Sequence, residues 1–161
     1  MPSFDVVSKV QMHEVDNAVL QTSKEIATRY DFKDTSTSIE RLDEGIVLRS
    51  SSEGRLEAAL NVLQEKLVRR KVSLKAIDVQ EVEKAGGSNF RQLVKLNQGI
   101  ATEKAKEVVK FLKGSGLKVQ ASIQADQVRV TGSKKDVLQQ AIAAMRSHDF
   151  NIDLQFENYR D

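Results

Sequence analysis

Apolar residues along this chain switch between two periods, and the switches come in an order that repeats. Alternation opens the chain over residues 4–10, the two-residue period of a strand, and Val15, Val19, Thr22, Ile26 and Tyr30 then follow at helical spacing. Alternation returns over residues 38–42. Asp43, Glu44 and Gly45 supply a turn, and residues 46–50 answer as the partner strand of a hairpin. Ser50 with Glu53 three residues later reads as a capping box, and Leu56, Ala59, Leu60, Leu63 and Leu67 form the buried stripe of a second helix. Residues 72–79 read as a closing strand.

After the turn-forming stretch 85–89 the same programme starts again. A strand is expected over 90–96 and a helix over 100–113, ended by Gly114 and Gly116. A hairpin over 117–124 and 127–131, a helix over 133–147 and a strand over 152–157 follow. Residues 46–60 align with 128–142 without a gap, an offset of 82, and Lys24, Glu25 and Ile26 meet Lys106, Glu107 and Val108 at that same offset. The chain therefore reads as a duplication of a βαββαβ unit, with an α+β domain at 1–84 and another at 85–161. This order is shared by ferredoxin-like and RRM domains, in which helices cover one sheet face and leave the other open. A fold alone names no function.

Length allows one ordinary domain or two small ones, and composition narrows the chemistry. The 161 residues leave room for two small domains, and a 40% hydrophobic, 30% charged balance suits a globular chain. There is no cysteine, residues 1–9 carry Asp5 and no signal-type apolar run, and no apolar stretch approaches membrane-spanning length. A cytoplasmic protein away from the membrane is expected. The net charge of +2 is uneven: residues 1–82 hold 12 Lys and Arg against 14 Asp and Glu, and residues 83–161 hold 13 against 9. Catalytic constellations are thin. His13 and His148, the only histidines, sit at expected helix ends, and the carboxylates Asp31, Asp34, Asp43 and Glu44 lie in or beside turns, where local backbone bonds occupy them. Neither a Walker-type loop nor a metal-ligand spacing is present. No enzyme activity, metal or cofactor is expected.

Strand alternation suggests where a ligand could lie. Leu117, Val119, Ala121 and Ile123 share the core face with Val128 and Val130. The opposite face carries Lys118, Gln120, Ser122, Gln124, Gln127, Arg129 and Thr131, with no acid among them. A phosphate-bearing ligand and plain solvent both account for such a face. The corresponding face of the first repeat, with Ser38, Glu40, Leu42, Val47 and Arg49, suits a protein contact better. Base stacking of the RRM type is disfavoured, because neither residues 46–50 nor 128–132 contain an aromatic. Most aromatics fall at core-facing positions. Phe32 and Tyr159, beside Lys33 and Arg160, are the two expected to be free to stack. The cluster of Lys66, Arg69, Arg70 and Lys71 complements a helix C-terminus.

The opening residues 1–8, the segment Ala27-Thr28-Arg29-Tyr30-Asp31-Phe32-Lys33, the stretches 118–124 and 126–132, and the ending 156–161 together resemble the YajQ family of bacterial proteins, from end to end. The resemblance implies two tandem ferredoxin-like domains with their leading strands exchanged. It also implies nucleotide binding without catalysis, with cyclic di-GMP and RNA as associated ligands. Asp34 departs from the glycine usual there, which would place an extra carboxylate near any bound phosphate. Since the best-matching segments coincide with the polar face, the expected ligand-binding set is Lys118, Gln120, Ser122, Gln124, Arg129 and Thr131, with Phe32, Lys33 and Arg160. A module that binds RNA, DNA or a protein partner without a small ligand is the alternative.

Overall fold

In the computed structural model, which describes all residues Met1–Asp161, the duplicated pattern becomes two antiparallel sheets and four helices. Strand β1 (Ser3–Val7) leads into α1 (Met12–Thr28), a 3-10 turn (Tyr30–Phe32), and the hairpin β2 (Ser38–Leu42) and β3 (Gly45–Ser50). Helix α2 (Glu53–Arg69), a second 3-10 turn (Leu74–Ala76), β4 (Ile77–Val79) and the short β5 (Glu83–Lys84) complete the first series. The second runs β6 (Phe90–Leu96), α3 (Thr102–Gly114), β7 (Val119–Gln124), β8 (Gln127–Gly132), α4 (Lys135–Arg146) and β9 (Gln155–Arg160). Strands β3 and β8 begin and end at the 82-residue offset read from the sequence. Residues 72–79 contribute a 3-10 turn before only three residues of strand.

The chain divides into a discontinuous unit, residues 1–9 with 98–161, and a continuous unit, residues 10–97. The sheet of the discontinuous unit runs β7-β8-β1-β9; that of the continuous unit runs β2-β3-β6-β4, with β5 also on β6. In each sheet the third position is taken by the opening strand of the other repeat. Strand β1 pairs with β8 through Asp5 opposite Arg129 and with β9 through Ser3 opposite Arg160, while β6 pairs with β3 through Val94 opposite Ile46.

Each unit buries its own core. Ile46, Leu48, Leu56, Leu63, Leu67 and Val94 pack together in the continuous unit. Phe4, Val6, Val128, Val130, Leu112 and Met145 do so in the discontinuous one. Helix α1 buries Val15, Ala18, Thr22 and Ile26 as a stripe, as its periodicity requires. The cap of α2 differs from the sequence expectation. Ser52, not Ser50, accepts from the Arg55 N–H, because Ser50 is drawn inward to Thr37 and the Thr35 carbonyl. Gly45 opens β3 at φ +143, and a Cβ there would collide with the Val94 carbonyl oxygen.

Candidate functional site

The expected site residues separate between the two units. Lys118, Gln120, Ser122, Gln124, Arg129, Thr131 and Arg160 belong to the discontinuous unit, and Phe32 and Lys33 to the continuous one. Regrouping the charges in the same way leaves 11 Lys and Arg against 9 Asp and Glu in the discontinuous unit and 14 against 14 in the continuous one. The cationic bias of the second repeat is thereby halved.

On the open face of the discontinuous unit, Gln120, Ser122 and Gln124 stand exposed on edge strand β7, with exposed Lys118 just before it. Arg129 is in a different position. Its side chain is 32% exposed and its Nε donates to Asp5 Oδ1 at 3.0 Å. Asp5 itself is 2% exposed. Its second oxygen accepts from Asn158 Nδ2 at 2.7 Å, and Arg160 lies 3.8 Å away. Burial pushes the Asp5 carboxyl up. Hydrogen bonds from Arg129 and Asn158, with the charges of Arg129 and Arg160, outweigh it and hold the group below its ordinary value of 3.8. The face therefore contains an acid, delivered by a strand 124 residues away in sequence, and that acid occupies Arg129.

In the continuous unit an open cleft of about 630 Å³ lies along the last turns of α1 and the loop that follows, lined by residues including Arg29, Tyr30, Phe32, Lys33, Asp34 and Ser36. Helix α1 stops at Thr28 and Arg29 is extended, at φ −73 and ψ 133. The spacing that predicts Tyr30 in the core is broken at that point. Tyr30 emerges 87% exposed, and Phe32 turns inward to 4%. The free ring here is thus Tyr30, while the Phe32 ring lies under the guanidiniums of Arg29 and Arg55, at 4.9 and 6.0 Å. No glycine or proline marks the helix end, so periodicity gave no sign of the change of phase.

A chain of hydroxyls holds this loop. Thr35 Oγ1 donates to the Phe32 carbonyl at 2.6 Å, Thr35 and Thr37 share a 2.6 Å bond, and Thr37 meets Ser50 at 3.0 Å. Ser51 bonds the Thr35 carbonyl from both its N–H and its Oγ. Asp34 and Ser36 adopt left-handed conformations at φ 59 and 52. A glycine at 34 would meet this geometry without strain. Lys33 is exposed and stands in no ion pair. Tyr159, 57% exposed, keeps its ring 6.1 Å from that of Phe4. No group of three or more His, Asp or Glu side chains is arranged to hold a metal ion, and no helix is long and apolar enough to cross a membrane.

Known proteins resemble the chain over its whole length. The family described as nucleotide-binding protein YajQ-like matches residues 2–160. A protein of Anaeromyxobacter sp. (strain K) called "Nucleotide-binding protein" is 55% identical over 162 residues, covering 100% of both chains. Proteins with that same designation from Desulfitobacterium hafniense (strain DSM 10664 / DCB-2) and Myxococcus xanthus (strain DK1622) are 53% and 50% identical, covering 97% and 100% of their own lengths and 98% and 100% of this chain.

Proposed function

The chain belongs to the YajQ-like family of nucleotide-binding proteins, and on that premise we propose that it binds a nucleotide, without catalysing a reaction, in the cleft lined by Tyr30 and Lys33. The observation that carries this reading is an almost fully exposed aromatic ring beside an unpaired cation in a cleft of about 630 Å³, a size suited to a small ligand. Tyr30 would stack the base, and Lys33, with Ser36 and Thr37, would face the phosphates. Cyclic di-GMP is the first ligand to test, in a cytoplasmic effector role. The same proposal reads the repeats 1–84 and 85–161 as tandem ferredoxin-like domains with exchanged leading strands, supported by the strand order common to both sheets.

Isothermal titration with mono-, di- and cyclic dinucleotides tests the site. Stacking contributes roughly 1–3 kcal/mol per base, so Tyr30→Ala should weaken binding about five-fold or more. Its melting temperature should stay near that of the wild type, because the ring is exposed. Unchanged affinity in Tyr30→Ala would remove the cleft from consideration. Asp34→Gly should bind several-fold more tightly, since it relieves a left-handed aspartate and deletes a carboxylate beside the phosphates; equal or weaker binding by titration would contradict that placement.

A second reading is favoured by the exposed row Lys118, Gln120, Ser122 and Gln124. This edge of the discontinuous unit would follow an RNA or DNA backbone, or meet a protein partner, with no small ligand. Binding there should weaken steeply with salt, whereas nucleotide binding in the cleft should respond far less.

A further inference from the structure

Two arginines of the continuous unit converge on one carboxylate. Arg29 donates from Nε and Nη2 to the two oxygens of Asp31, at 3.0 and 2.7 Å, and Arg55, from the first turn of α2, donates from Nη1 to Asp31 Oδ2 at 2.7 Å. Both guanidiniums rest over the buried Phe32 ring. Arg29 is steadied further by Glu25 at 3.1 Å, which in turn accepts from Lys66 Nζ at 3.0 Å. Two planar forks from separate elements are thus held on an aromatic floor and aimed at one point, an arrangement matched to an oxyanion.

The anion at that point is the protein's own. Arg29, Arg55 and Asp31 side chains are 42%, 35% and 37% exposed, so water screens the pairing and the fold gains little from it. The Arg29 hydrogen bond is the main cause that holds Asp31 below the usual carboxylate range, so it is charged and competes as an anion. We infer that Arg29 and Arg55 form a phosphate clamp closed by Asp31, and that a phosphate-bearing ligand binds by displacing that carboxylate. Arg29 and Phe32 also line the cleft, so a phosphate held there would sit at its margin; only the link to a nucleoside rests on the cleft reading. A terminal phosphate monoester carries about −1.5 to −2 charges at pH 7, more than the single charge it replaces, whereas each phosphodiester of a cyclic dinucleotide carries one, so the clamp favours a ligand with a terminal phosphate. Asp31, being tethered, has the advantage of effective concentration. Asp31 therefore sets the affinity of the clamp.

Titrations with inorganic pyrophosphate and with guanosine monophosphate, each checked by a thermal melt, separate the two ideas. Asp31→Asn should bind pyrophosphate at least ten-fold more tightly than wild type, and adding Arg55→Gln should abolish the gain. Arg55→Gln alone should weaken whatever pyrophosphate binding the wild type shows. Unchanged or weaker pyrophosphate affinity in Asp31→Asn overturns the clamp. If Tyr30→Ala then still loses guanosine monophosphate, the cleft reading survives by itself. A gain in Asp31→Asn with no effect of Tyr30→Ala on either ligand leaves the clamp and removes the cleft.

Discussion

A fragment of residues 88–161 is expected to remain unfolded or to aggregate, although it spans nearly all of the second repeat. It lacks β1, an inner strand between β8 and β9, and with it Phe4 and Val6, both fully buried in the core of the discontinuous unit. Truncating one such side chain costs about 2–5 kcal/mol; removing the strand also leaves β8 and β9 with open hydrogen-bonding edges. These losses together are comparable to the whole roughly 5–15 kcal/mol by which a domain is stable. The fragment also retains β6, whose partners β3 and β4 are missing. A permuted chain should behave in the opposite way. Arg160 stands opposite Ser3 in the antiparallel β9–β1 pair, so residues 98–161 joined through a short turn to residues 1–9 form a hairpin and restore the sheet. Circular dichroism melts and size-exclusion chromatography decide the matter: a cooperative, monomeric 88–161 fragment, or a permuted chain that fails to fold, contradicts this account.

Replacing Asp5 with alanine should be the most damaging single change at a polar position. The carboxylate is 2% exposed and holds together β1, β8 and β9 through Arg129, Asn158 and Arg160. Without it, the half-buried Arg129 loses its directly bonded counter-charge. Breaking a buried pair from one side costs about 3–5 kcal/mol, which for a protein of this size lowers the melting temperature by about 2–4 °C per kcal/mol. The sign of the pH effect follows from the depressed carboxyl. Its contribution is complete above the ordinary value of 3.8 and is lost as pH falls through the lower value of the folded state. Wild type should therefore lose stability on acidification below about pH 3.8, and Asp5→Asn, already weaker at neutral pH, should show a flatter profile there. A melt of Asp5→Ala within 1 °C of wild type would sink this reading. Arg129→Ala should destabilise as well, contrary to what an exposed, ligand-facing arginine implies, so any loss of binding in that variant must be judged beside its melting curve.

Both outcomes mark where local pattern stops being informative. The alternation over 127–131 correctly gives Val128 and Val130 to the core and Arg129 to the other face, because the direction of a side chain along a strand depends only on its own segment. What lies beside Arg129 depends on the neighbouring strand. Pairing is non-local, and the polar face read as free of acid receives Asp5 from the opening strand. The Tyr30 and Phe32 pair fails for a different reason. Extending the α1 stripe by one more turn requires the helix to continue, and the backbone leaves helical geometry at Arg29 instead.

Apart from Tyr30, from Val47, read onto the open face and fully buried, and from Ile123, read into the core and 38% exposed, the sequence by itself determined the order of the main elements, which of their residues face a core, and the family. All of these are carried by spacing within short segments or by direct similarity. Only the tertiary structure decided which strand completes which sheet, that Arg129 is spent on a buried carboxylate, and that Tyr30 rather than Phe32 is exposed at the cleft. Each of those depends on chain segments far apart in sequence, or on the backbone path after a helix ends, and hydrophobic periodicity contains neither.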